Sequence, residues 1–293
     1  MKKKLLTYAL AATFFTSLFI PQFAFAQATR IWATYYGGSD AIGTCVATDA
    51  ASNVYLAGYT NSPIAIASGG FDTILLAGYN AFLVKFDANG NRLWATYYGD
   101  IETGFLGYSV NIATDAWGNV YLAGQTSDTT GIASGGFQNI YGGSVNGGYN
   151  AFLVKFDANG NRLWATYYGG TGDAFSTGVA TDVSGNVYLE GMAQNNTTNI
   201  ASSGGFDTIS GGQWQCFLAK FDSAGNRLWG TYYGGGYTTG NTSGYYGNNV
   251  ATDATGNVYM TGMTQDTSGI ASPGGFLNTY GGGRKLECLP CKI

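Results

Sequence analysis

KFDANGNRLWATYYG, residues 85–99, returns without a change at residues 155–169. Its centre explains the repetition. In D-A-N-G the aspartate takes the first position and the glycine the fourth position of a type I turn. The aspartate side chain can accept the backbone N–H two residues on, and glycine supplies the left-handed conformation of a bulge. The following asparagine opens a strand. The same D-x-x-G-N spacing places Asp87 with Gly90, Asp157 with Gly160 and Asp222 with Gly225. It also places Asp115 with Gly118, Asp182 with Gly185 and Asp253 with Gly256. These read as structural hairpin turns. In the first copy, Asp49 to Asn53, Ser52 stands where the others have glycine.

Outward from the turns, three more markers keep the same order. Trp32, Trp94, Trp164 and Trp229 open the pattern W-x-T-Y-Y-G at spacings of 62, 70 and 65 residues. T-D recurs at Asp49, Asp115, Asp182 and Asp253, and I-A-S-(x)-G-G-F ends at Phe71, Phe137, Phe206 and Phe276. A unit holds four strand-like runs, in the second SVNIATD, NVYLAGQT, AFLVKFD and NRLWATYYG. Val120, Leu122 and Gly124 alternate with Tyr121 and Ala123, the two-residue period of a strand. Forty-seven glycines, 22 tyrosines and 17 phenylalanines suit short strands joined by turns. No helical period of useful length follows the N-terminal segment.

Four antiparallel strands per unit, in tandem, make an all-β β-propeller whose blades bury one another's faces. The units run roughly over 37–99, 100–169, 170–234 and 235–283, within a propeller region of 27–283, and residues 30–36 are a lone fourth strand able to close a ring. The last unit breaks off into R-K-L-E-C-L-P-C-K-I, an atypical tail over 284–293, where A-F-L-V-K-F-D is due. The expectation is three full blades plus a partial one lacking its third strand, an open arc that reads as part of a longer product.

Residues 1–26 read as a secretory signal peptide. Lys2, Lys3 and Lys4 precede an apolar run, and Ala24-Phe25-Ala26 is a small-x-small cleavage site. The expected location is outside the cytoplasm: extracellular, cell surface or periplasm, with no membrane insertion after cleavage. Losing those lysines takes the net charge from −4 to about −7, and the remaining Lys and Arg are scattered singly through the repeats. Such a surface repels phosphate backbones, so nucleic acid is excluded as a partner. Histidine is absent, which removes His-dependent triads and the commonest metal ligand.

Cys45 and Cys216 stand where sister units carry small residues, and read as packing positions. Cys288 and Cys291 form a C-x-x-C with no second ligand pair beside it. D-x-N-G-N also resembles the start of a calcium loop, but such a loop wants a bidentate glutamate at its twelfth position, where Tyr98 stands. The expectation is no cofactor and no metal, with calcium in the turns as the minor alternative.

In an up-and-down blade, turns after the first and third strands lie on one rim and loops after the second and fourth on the other. The D-x-x-G-N turns hardly vary. Loops after the fourth strand differ in every unit, and those after the second are long and carry I-A-S-x-G-G-F. Binding chemistry usually lives on variable loops held by a rigid scaffold. The candidates on that rim are Asp40, Asp100, Glu102, Asp173, Tyr108, Tyr237, Tyr245 and Tyr246.

The motifs Y-Y-G-G, A-T-D-x-x-G-N-V-Y-L-A-G and A-F-L-V-K-F-D-x-x-G together resemble the SBBP family of bacterial β-propeller repeats, over nearly all of 30–282. The resemblance implies secreted or surface proteins and carries over no catalytic residue. The leading expectation is a non-enzymatic scaffold binding a protein or carbohydrate partner. The rival is an enzyme, either a quinoprotein-like dehydrogenase or a glycosidase. A glycosidase needs two converging carboxyls, and Glu190 is the single acid in a second-strand run. A structural spacer in a surface chain is the third reading.

Overall fold

A computed structural model of the chain describes residues 29–101, 110–143, 148–194, 197–210, 214–233, 249–264, 271–273, 275, 277 and 287–292. The chain divides into Met1–Ala33 and a compact unit, Thr34–Ile293. Regular structure among the described residues consists of fifteen β-strands.

The first sheet is a meander of β1 (Ala41–Thr48), β2 (Val54–Thr60), β3 (Asn80–Phe86) and β4 (Arg92–Asp100). The second joins β5 (Val110–Thr114), β6 (Val120–Thr126), β7 (Asn150–Phe156) and β8 (Arg162–Tyr168). The third joins β9 (Ala174–Thr181), β10 (Val187–Gln194), β11 (Trp214–Phe221) and β12 (Arg227–Tyr233). The fourth holds β13 (Asn249–Thr252), β14 (Val258–Thr264) and β15 (Glu287–Lys292). Every pairing between neighbouring strands is antiparallel. These are the blades of a β-propeller, three of them four-stranded.

Each blade has a front face that packs on the back face of the next. Tyr55, Ala57, Trp94 and Tyr98 of the first blade meet Ile112, Leu122, Val154 and Phe156 of the second. Tyr121, Leu153 and Trp164 of the second meet Val179, Leu189 and Phe221 of the third. Tyr188 and Leu218 of the third meet Val250, Val258 and Met260 of the fourth. The inner strands are tied as well: Thr114 donates its hydroxyl to the Thr48 carbonyl at 2.7 Å, Thr181 to Thr114 at 2.8 Å and Thr252 to Thr181 at 2.6 Å. Burying about one large side chain per contact at 1.5–3 kcal/mol each is why a lone blade would not persist.

The turns form as their sequence dictates. Gly90 donates to the Asp87 carbonyl at 3.0 Å with its φ at 85°, and Gly118, Gly160, Gly185, Gly225 and Gly256 repeat that geometry. Ser52 takes the same left-handed backbone at φ 63° without being glycine.

Three expectations are corrected. First, the fourth blade does have a third strand. The tail supplies it, with Lys292 in register opposite Tyr259, as Lys85 is opposite Tyr55. Pro290 disguises the strand in the sequence, but a residue without an N–H is tolerated on the edge strand of this sheet. Cys288 and Cys291 are therefore strand positions, in register with Met263 and Met260. Second, residues 30–36 form no strand among the described residues. Third, I-A-S-x-G-G-F is not a rim loop. Ser68 exchanges both backbone hydrogen bonds with Ala95 of β4, at 2.9 and 2.8 Å, and Ser134 does the same with Ala165 of β8. The segment returns along the outer strand and covers its edge, satisfying backbone groups that an exposed edge would leave open.

Candidate functional site

The turn rim is rich in carboxylates, and they are saturated. Asp115 Oδ1 accepts from the backbone N–H groups of Trp117 and Asn119, both at 3.0 Å. Its Oδ2 accepts from Asn119 Nδ2 at 2.7 Å and the Tyr121 hydroxyl at 3.2 Å, with Lys155 Nζ at 3.5 Å. Lys85–Asp49–Tyr55 and Lys220–Asp182–Tyr188 repeat the cluster. Burial pushes the Asp49 and Asp182 carboxyls up, but hydrogen bonds from Asn53 and Asn186 outweigh it and hold both below the usual range. Ringed by N–H and O–H donors, these oxygens suit a fixed anion and do not fit a calcium ion, which needs them free.

The W-A-T-Y-Y ladder is equally committed. Trp94 is buried against Gly160 and Phe156 of the next blade and donates its indole N–H to the Ala158 carbonyl at 3.0 Å. Thr96 Oγ1 accepts from the Asp72 N–H at 2.8 Å, which anchors the edge-covering segment. Tyr97 donates to the Ser62 carbonyl at 2.8 Å, and Tyr98 to the Ile132 carbonyl of the next blade at 2.5 Å. Arg162 donates to that same carbonyl and stacks over Phe71 of the first blade, 4.4 Å from the ring centroid. Arg227 over Phe137 repeats the staple at 4.2 Å. Aromatics that a sugar might have stacked on are therefore seam packing.

On the opposite rim, Asp40, Asp100 and Asp173 are described, whereas Glu102, Tyr108, Tyr237, Tyr245 and Tyr246 lie outside the described residues. Asp40 is held by the first blade, and Asp100 and Asp173 by the second. Asp40 Oδ2 accepts from the Tyr79 hydroxyl at 2.7 Å, and its carbonyl accepts from Thr60. Asp100 donates its N–H to Asp128 Oδ2 at 2.8 Å, and its carbonyl accepts from Thr126. Asp173 Oδ1 accepts from the Tyr149 N–H at 2.8 Å, and burial raises its carboxyl above the usual range. Asp40 and Asp173 use their carboxylates, and Asp100 its backbone, to fix the chain at the passage from one blade to the next. Asp128, which links two blades beside Asp100, was not legible as a partner, because its role depends on a loop fold rather than on a motif.

Glu190 is the outlier. It is fully buried on β10, opposite Gly178, and neither carboxyl oxygen has a hydrogen-bond partner among the described residues. Burial lifts it well above the usual carboxylate range and favours the protonated form. Cys45 is packed on the first seam, and burial pushes its thiol up to about 11, which leaves it unreactive.

Residues 31–65 match the family model of SBBP, the beta-propeller repeat. Over 168 residues the chain is 27% identical to an uncharacterized WD repeat-containing protein of Acanthamoeba polyphaga mimivirus, covering 50% of this chain and 12% of that protein. Over 144 residues it is 28% identical to the regulatory protein FlaEY of Caulobacter vibrioides, covering 49% of this chain and 14% of that protein. The chain thus spans about an eighth of the length of these curated relatives. A crystal structure of a protein of unknown function from Dyadobacter fermentans aligns at a TM-score of 0.37 and 10% identity, over 81% of this chain and 60% of that one. Sheets and repeat model together make this chain a propeller scaffold.

Proposed function

We propose that this propeller is an exported, non-enzymatic scaffold that binds a protein or glycan partner through the loops between each outer strand and the next inner strand. One observation carries the reading: among the described residues, the elements repeated from unit to unit are consumed within the blades. The Asp-x-x-Gly-Asn carboxylates, the W-A-T-Y-Y side chains and the I-A-S-x-G-G-F segments all have internal partners. What differs between units is the set of loops after the outer strands, GGSDAIGT, GDIETGFLGY, GGTGDAFST and GGGYTTGNTSGYYGN. Diverse loops on an invariant frame are how rigid folds present binding surfaces. The WD-repeat relative supports a propeller scaffold, and the N-terminal lysines and apolar run support export.

The test is a protein and glycan array probed with the chain and with a variant whose residues 102–108 are replaced by a short Gly-Ser linker. Binding that the replacement abolishes, at unchanged melting temperature, is expected. A ligand retained by that variant and by equivalent replacements of the other three loops would overturn the assignment.

A further inference from the structure

Glu190 lies in the seam between the third and fourth blades. Its equivalents on the second strands of the first two blades are Ala57 and Ala123, small side chains inside the apolar clusters of their own seams. The residue opposite has changed with it: Ala57 faces Cys45 and Ala123 faces Asn111, whereas Glu190 faces Gly178. The missing side chain is the room that the carboxyl occupies. A Cβ on Gly178 would stand 3.1 Å from Glu190 Oε2 and 3.0 Å from the Val250 nitrogen of the fourth blade. The acid is therefore enclosed by β9, β10 and β13, fully buried, and neither oxygen has a hydrogen-bond partner among the described residues. The Val250 N–H beside it already donates to Asn249 Oδ1 at 2.9 Å.

No countercharge meets the carboxyl there. Of the strands packed around it, β9 and β13 carry no ionisable side chain, β10 adds Tyr188, β11 adds Cys216 and Lys220, and β14 adds Tyr259. Tyr188 and Lys220 are committed to Asp182, at 3.0 and 3.6 Å, and Tyr259 to Asp253 at 3.0 Å. We propose that this seam is gated by pH: proton loss from Glu190 releases the fourth sheet from the third blade, while the first and second seams, with alanine in that place, stay closed. Ionisation in place would bury an unpaired charge, and moving the fourth sheet away gives that charge water. Only the cluster of Tyr188, Leu218, Val250, Val258 and Met260, with Ala180, holds the apolar side of the seam. The closed seam favours the protonated acid, so it is firm in acid and weakens as pH rises past about 4.5, the ordinary carboxyl range. Opening releases one proton, which shifts the equilibrium toward the open form by about tenfold per pH unit until the folded value is passed.

Hydrogen exchange of the full chain, corrected for the intrinsic rate at each pH, reads the seam. From pH 5 to pH 7 the β13 and β14 amides should lose protection by about tenfold or more. They should also end about tenfold or more below the amides of β2 and β6. Glu190→Gln, which keeps the shape without the charge, should remove the loss. Glu190→Ala, the side chain of the sister seams, should remove it as well and serves if the first variant fails to fold. Protection of β13 and β14 equal to that of β2 and β6 at both pH values would mean opening only by global unfolding, and would overturn the proposal. So would the absence of any loss in the wild-type protein, or a loss that either folded variant retains.

Discussion

Asp173 and Asp182 stand at the two ends of β9, and their surroundings drive them in opposite directions. At Asp182, burial raises the carboxyl, yet bonds from Asn186 and Tyr188 outweigh it and the group is held low. At Asp173, burial meets a single backbone bond from Tyr149 and the group is held high. One end of the strand is a saturated fixture that recurs in every blade. The other is a sparsely bonded loop that differs between blades. The difference shows which rim the fold fixes with hydrogen bonds and which it leaves sparsely bonded.

The largest expected effect breaks the saturated end. Asp115→Ala strands Lys155, a side chain only 7% exposed, and removes the acceptor of Tyr121 and Asn119. Breaking one member of a buried pair costs about 3–5 kcal/mol. Urea unfolding of Asp173→Ala, which loses one backbone bond, should show about 0.5–1.5 kcal/mol. Equal losses would erase the contrast between the rims.

Next comes pH. Asp49, Asp87, Asp157, Asp182, Asp222 and Asp253 have folded pKa values below their unfolded ones, so they stabilise above about pH 4 and that stability is lost as pH falls through the folded values. Glu190 and Asp173 have folded values above their unfolded ones, so they cost stability as pH rises past about 4.5. The melting temperature should therefore peak in mild acid. Glu190→Gln should flatten the alkaline side, with a gain of about 1 kcal/mol or more at pH 8. A wild-type profile flat from pH 5 to pH 8 would contradict the buried acid.

The smallest effect sharpens the turn comparison. Ser52 holds the left-handed backbone that glycine holds in the sister turns. Ser52→Gly should raise stability by up to about 1 kcal/mol in thermal unfolding, because relief of the strained backbone exceeds the extra entropy of the unfolded chain. A loss on substitution would mean the Ser52 side chain contributes more than the strain costs.

Much of this was legible in the sequence because turn chemistry is local. Aspartate, glycine and asparagine at fixed offsets dictate a hairpin wherever they fall, and the alternation around Tyr121 fixes its strand. The edge-covering segment was misplaced because Ser68 meets Ala95 through backbone atoms alone, 27 positions along the chain, and no side chain announces it. Its near-verbatim repetition was the missed signal: an element that never varies between units belongs to the frame. The tail was obscured by Pro290 and two cysteines, although Lys292 keeps the lysine of the sister strands in register. Of the eight rim candidates, the three described ones have loop partners set by contacts such as Tyr79 to Asp40, which lie far apart in sequence.

The central claim is that repeated elements build and unrepeated loops recognise. Amide hydrogen exchange tests it most directly. The account predicts that the Ser68, Ser134 and Ser202 amides, each bonded to an outer-strand carbonyl at 2.9 Å, exchange as slowly as those of β4, β8 and β12, while the amides of Ser39 and Gly172 exchange far faster. Equal, rapid exchange at both sets would contradict it, by making the I-A-S-x-G-G-F segments free loops.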